Sequence, residues 1–154
     1  MPGIGNFLLN LFFKKKNQPN LKKRSVLYID DNEFDRTYIE KILTKRNYHV
    51  LLCSDGESGL EMIQKERPDL VLLDFMLPGL NGAEICRRVK TEEETKNIPV
   101  IFLTGVETPQ NLIDSYKNGA DDFLNKSITP KLLINRIEMT LADYIDLPAT
   151  TNAS

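Results

Sequence analysis

The chain lacks most of the features that announce chemistry on their own. It has two cysteines, Cys53 and Cys86, at no metal-ligand or redox spacing. With Cys86 on a predicted helix and Cys53 at a strand end, both read as buried thiols. No hydrophobic run approaches the length of a membrane span. A secretory signal is not expected either, because the apolar stretch at the N-terminus is short, its lysines follow rather than precede it, and no cleavage site comes after. The expected location is therefore cytoplasmic. No glycine-rich fingerprint follows the first predicted strand, which argues against nucleotide binding. Acids are missing from residues 1–24, where Lys14, Lys15, Lys16, Lys22, Lys23 and Arg24 make an arm of +6 in a chain of net charge -2. The remainder is thus near -8. An acidic body argues against general nucleic-acid binding, and the arm is too short to be a nucleic-acid domain.

What is present suffices for one packed domain. The 154 residues are 41% hydrophobic, enough for a core that needs neither metals nor disulfides. From Ser25 onward, apolar strands alternate with amphipathic helices. Val26 to Ile29 reads as a strand, followed by a helix from about Glu33 to Arg46 with Tyr38, Ile39, Ile42 and Leu43 on one face. Asn32 with Asp35 three residues on has the pattern of a helix cap and its acidic reciprocal. His49 to Cys53 is the second strand, and Asp55-Gly56 leads into a helix that holds Leu60 and Ile63 and stops at Pro68. Leu70 to Leu73 is a strand buried on both faces, and a helix from about Ala83 to Lys90 turns Ile85, Cys86 and Val89 inward. Ile98 to Leu103 is the fourth strand. A helix from about Pro109 to Asn118 closes with Gly119 as its C-cap, a short strand spans Asp122 to Leu124, and a last helix runs from about Pro130 to Tyr144. Five such units predict an α/β fold, a doubly wound (βα)5 parallel five-stranded sheet covered on both faces. Right-handed crossovers then bring every strand-to-helix loop to one edge.

That edge collects Asp30, Asp31, Asp74, Thr104 and Lys126. Singly, each has an ordinary reading: an Asp after a strand as a turn residue or cap, Thr104 as the cap of the next helix, Lys126 as surface. Their recurrence at successive strand ends, where open α/β sheets bind ligands, favours a site. If the first and third strands are neighbours, three carboxylates converge. Like charges at that range need a compensating cation, so the cluster predicts a hard divalent metal.

The strings Val26-Leu27-Tyr28-Ile29-Asp30-Asp31-Asn32, Leu72 to Gly82, Phe102-Leu103-Thr104-Gly105 and Gly119 to Lys126 resemble the receiver domains of two-component response regulators, in the family's order and spacing across about residues 25–145. The resemblance implies a flavodoxin-like strand order of 2-1-3-4-5. It also implies a phosphoacceptor at Asp74, and Mg²⁺, or Mn²⁺ in its place, held by Asp30, Asp31, Asp74 and the backbone carbonyl of Met76. Thr104 and Lys126 would grip the phosphoryl oxygens, and Thr104 with Phe123 would form a switch, although an ordinary core aromatic explains Phe123 equally well. The donor would be a sensor histidine kinase or a histidine phosphotransfer protein. Such a domain is not a classical enzyme, but Mg²⁺-dependent autophosphorylation from phosphodonors is expected of it. The chemistry is intelligible, since a carboxylate forms an acyl phosphate readily, a cation sits on the oxygens and a donor holds the remaining charge.

Two departures stand out. The family usually has proline after the lysine, often through a cis bond, whereas Ser127 follows Lys126; a non-proline cis bond costs roughly 2.5–4 kcal/mol, so a trans bond is expected. Met76 and Val106 are apolar and offer nothing to orient a water, so slow self-dephosphorylation is expected.

Outside the receiver, residues 146–154 read as a flexible tail, and no effector domain is apparent, which leaves output to a downstream protein partner, to a homodimer or to passing the phosphoryl group onward. In the basic amphipathic arm of residues 1–24, Ile4, Phe7, Leu8, Leu11 and Phe12 have helical spacing before a linker. Three readings remain open for it: docking on its own domain or a second subunit, recognition of a partner, or weak peripheral membrane contact through residues 4–16. The rival to phosphotransfer is a phosphorylation-independent scaffold or adaptor acting through this arm. An aspartyl-phosphate hydrolase is disfavoured because no insertion is long enough for a cap.

Overall fold

A computed structural model describes residues 22–145, so the expectations for the arm before Lys22 and for the tail lie outside the described residues. Five strands and five helices alternate: β1 (Ser25–Ile29), α1 (Glu33–Lys45), β2 (His49–Cys53), α2 (Gly56–Glu66), β3 (Leu70–Leu73), α3 (Gly82–Thr91), β4 (Val100–Thr104), α4 (Pro109–Lys117), β5 (Asp122–Asn125) and α5 (Pro130–Ile145). All strand pairs are parallel, in the order β2-β1-β3-β4-β5. This is the expected (βα)5 sheet, with β1 beside β3 as the site requires.

Successive residues of the central strands point to opposite faces, and each face has its own core. Leu27, Ile29, Val71, Leu73, Val100 and Phe102 pack with Ile63 of α2 and Ile85, Cys86 and Val89 of α3. Val26, Tyr28, Leu70, Leu72, Ile101 and Leu103 pack with Ile39 and Leu43 of α1 and Leu133, Ile137 and Leu141 of α5. Cys53 and Cys86 are free and buried, and burial pushes the Cys86 thiol up to about 12, which leaves it inert. No helix among the described residues is long and apolar enough to cross a membrane.

Each of the first four helices starts at a side-chain cap, of which the sequence pattern marked Asn32 and the Asp55-Gly56 turn. Asn32 accepts from the N–H groups of Phe34 and Asp35, Asp55 from Ser58, Asn81 from Glu84 and Thr108 from Asn111. The α4 cap is therefore Thr108, which removes that role from Thr104. Gly119 closes α4 at φ 87°, a left-handed conformation glycine adopts without a Cβ clash.

Three local expectations need correction. β4 begins at Val100 rather than Ile98, because the Ile98 N–H is already bonded to Thr95 O at 2.8 Å and Pro99 has no N–H to give. Tyr38 does not share the buried face of α1: it is 46% exposed while Ile39 and Leu43 are buried. Finally, Asp35 does not complete a reciprocal cap. The Asn32 N–H goes to Asp30 Oδ1 at 2.8 Å, and the Asp35 carboxylate is engaged elsewhere.

Gly82 fixes where α3 meets the end of β3. A Cβ there would lie 2.5 Å from Asp74 O and 2.9 Å from Phe75 Cα, both backbone atoms, so the chain itself would have to shift. Gly82→Ala is expected to cost roughly 1–3 kcal/mol of stability, measured as a lower denaturant midpoint at unchanged slope.

Candidate functional site

The parallel ladder brings the acids together. Ile29 pairs with Leu73, and the Asp74 N–H donates to Ile29 O at 2.9 Å, so the chain leaves both strands side by side. Asp30 and Asp74 are buried and Asp31 is exposed at the mouth. One oxygen from each of the three lies within 4.8 Å of the others. The Met76 N–H reaches Asp74 Oδ1 at 3.3 Å, with its side chain turned outward and 56% exposed.

The opposite wall comes from β4 and β5. Thr104 is fully buried at the end of β4 and pairs with Asn125. The next N–H, that of Lys126, donates to Thr104 O at 2.9 Å, which pins the lysine backbone to the threonine. Among the described residues no peptide bond is cis, so Lys126–Ser127 is trans, as expected. Here Ser127 contributes what proline lacks: its N–H donates to Asn125 Oδ1 at 2.8 Å, and the Ile128 N–H closes the same turn on Asn125 O at 3.0 Å. The turn delivers the Lys126 ammonium to the acids. Nζ stands 2.6 Å from Asp30 Oδ2, 2.7 Å from Asp35 Oδ2 and 3.3 Å from Asp74 Oδ2.

Tyr28 and Asp35 belong to this cluster although sequence reading did not assign them to it. Tyr28, two residues before Asp30 on the same strand face, is fully buried and donates its hydroxyl to Asp30 Oδ2 at 2.5 Å. The i, i+2 spacing was a usable signal. Asp35 carried none, because an acid in the first turn of a helix is ordinary. Phe123 lies half-buried against Phe75 and Phe102, with ring centroids 6.5 and 6.1 Å away, beside the site rather than in it.

The electrostatics follow from this geometry. Burial and then the neighbouring Asp30 charge hold the Asp74 carboxyl above its ordinary value, while Lys126 and the Thr104 hydroxyl act the other way. Burial alone would lower the Lys126 ammonium, but Asp30 and Asp35 outweigh it and raise it well above its usual value. Burial, then Asp30, raises Tyr28, which keeps it a neutral donor. Asp30, Asp35 and Asp74 thus face one ammonium, with Asp31 a fourth carboxylate at the mouth. Arg36, the other cation nearby, is bonded through Nη1 to the Asp30 backbone carbonyl at 2.7 Å. An all-oxygen, net-negative donor set with one exposed member suits a hard divalent cation such as Mg²⁺.

Comparison with known proteins gives the same class. Residues 26–138 match the response regulator receiver domain model. The chain is 37% identical over 117 residues to the transcriptional regulatory protein AfsQ1 of Streptomyces coelicolor, covering 76% of this chain and 51% of that one. It is 36% identical over 112 residues to the response regulator PleD of Caulobacter vibrioides, covering 73% and 25%. Among solved structures, a putative response regulator from Chloroflexus aurantiacus superposes with a TM-score of 0.75 at 32% identity, covering 79% of this chain and 99% of that one. The chain belongs to the response regulator receiver domain family. It spans about half the length of AfsQ1 and a quarter of PleD.

A raised native value for Asp74 sets the sign of its contribution to stability. That contribution is fully present below the ordinary carboxylate value and is lost as pH rises through the raised one. In metal-free buffer at neutral pH, Asp74→Asn is therefore expected to be at least as stable as wild type. Mg²⁺ is expected to raise the wild-type Tm, and to raise that of the variant less. Thermal melts with EDTA and with Mg²⁺ check both.

Proposed function

We propose that the chain is a phosphorylatable receiver that accepts a phosphoryl group on Asp74 from a sensor histidine kinase or histidine phosphotransfer protein and signals by protein contact. The observation that carries this reading is the meeting of Lys126 Nζ with Asp30 and Asp74 inside a carboxylate trio suited to a divalent metal.

The roles follow from position. Asp74, buried at a strand end, is the nucleophile, and its proximity to Asp30 makes its charged form dependent on nearby cations. Asp30, Asp31 and Asp74, with the Met76 carbonyl, would hold Mg²⁺ or Mn²⁺, which supplies charge neutralisation on the phosphoryl oxygens. Lys126 and Thr104 hold those oxygens from the other wall. When Thr104 moves toward the new anion, the loop after β4 follows it. Phe123, half-buried at the rim of the Phe75 and Phe102 pair, then turns inward as the switch. This changes the face formed by α4, β5 and α5, where Leu112, Ile113, Tyr116, Leu132 and Met139 are exposed. A downstream protein or a second copy would be read there. A cytoplasmic setting follows, and the arm of residues 1–24 localises or docks the receiver of residues 25–145.

Intact mass after incubation with Mg²⁺ and acetyl phosphate tests the central claim. Wild type is expected to gain one phosphoryl group, and Asp74→Asn none. No gain in mass together with no beryllofluoride binding would favour the adaptor reading instead. Because the exposed Met76 and Val106 side chains offer no group to orient water, the acyl phosphate is expected to decay slowly. Met76→Asn is expected to shorten its lifetime, followed by loss of the added mass over time.

A further inference from the structure

The receiver chemistry leaves Asp35 unexplained. Its carboxylate, on the first turn of α1, lies 2.7 Å from Lys126 Nζ, nearer than Asp74 at 3.3 Å. It has abandoned its local capping role to do so, since the Asn32 N–H is taken by Asp30. The contact spans 91 residues of sequence, and the Asp35 side chain is one-third exposed, against 22% for Lys126.

We propose that Asp35 is a positioning residue that competes with the phosphoryl group for Lys126. This rests on the reading of Asp74 as phosphoacceptor. Asp30 holds the ammonium from beneath, its Oδ2 also fixed by the Tyr28 hydroxyl and its Oδ1 by the Asn32 N–H. Asp35 holds it from the α1 side. An anion on Asp74 needs that ammonium, so forming the phosphorylated state means drawing Lys126 away from Asp35 or sharing it. Asp35 also adds a negative charge beside the incoming anion. The same charge has the reverse effect on the metal: a fourth carboxylate near the trio attracts a dication, and by occupying Lys126 it lessens repulsion between ammonium and metal. Asp35 therefore sets the balance between the metal-loaded resting site and the phosphorylated one, favouring the former.

The prediction is a pair of opposite changes in one variant. Asp35→Asn keeps the size and removes the charge. It is expected to weaken Mg²⁺ binding about three-fold or more, while tightening beryllofluoride binding at saturating Mg²⁺ by about ten-fold. Both are read by isothermal titration calorimetry on the full chain. Asp35→Glu, which keeps the charge, is expected to return both affinities to within about two-fold of wild type. Damage to α1 would weaken both ligands together and would not be repaired by glutamate, so parallel losses overturn the proposal, as does an unchanged beryllofluoride affinity. If wild type itself binds no beryllofluoride with Mg²⁺, the receiver reading falls and this inference with it. If wild type binds and Asp35→Asn matches it, only the role of Asp35 falls.

Discussion

One half-buried ammonium among converging carboxylates is the interaction on which this site depends. Asp30 and Asp74 are almost wholly out of water, and an isolated charge in that position is costly unless paired and hydrogen-bonded. Lys126 supplies the pairing, and everything that aims Lys126 acquires a function through it. The Asn125–Ile128 turn, held by the Ser127 N–H, sets its direction. The ladder bond from its own N–H to Thr104 sets its depth. A receiver with serine in place of the usual proline thus still delivers its lysine, because the turn is held by the Ser127 N–H bond to Asn125 Oδ1, which proline could not make.

The sheet makes this arrangement durable. Because both faces of β1, β3 and β4 are covered, the strands carry unbroken apolar sequence and their register is fixed on two sides. A slip of one residue would send Tyr28 and Leu72 into the other core and carry the acids away from each other. The site can therefore hold like charges close together: repulsion between Asp30 and Asp74 acts against two packed hydrophobic cores, not against a loop.

The same geometry sets what the site can exchange. Lys126 touches three carboxylates, and a metal or an anion entering the cluster would have to redistribute those contacts. Asp74 is held partly by burial and Asp30, partly by Lys126 and Thr104, so its charge state answers to whatever cation is present. Thr104 shares its strand end with Asn125 and Lys126, and the half-buried Phe123 lies two residues before Asn125, so in the proposed function these residues would carry a change at the site to the rest of the fold.

The sequence alone determined the order of elements and the strand-end positions of Asp30, Asp31, Asp74, Thr104 and Lys126. Those depend on hydrophobic period and local turn chemistry, which are written in neighbouring residues. Helix caps at Asn32 and Asp55 were legible for the same reason. The start of β4 was misread because Ile98 is apolar but its N–H is committed to a turn, and Tyr38 because periodicity does not reveal what covers a helix face. Tertiary structure alone decided that Asp35 turns to Lys126, and it selected the Tyr28 bond to Asp30 and the Ser127 bond that closes the turn beneath the lysine from several local possibilities. Such contacts join residues far apart in the chain, or choose among several partners a polar group could take, and only the packed sheet fixes which partner lies within reach.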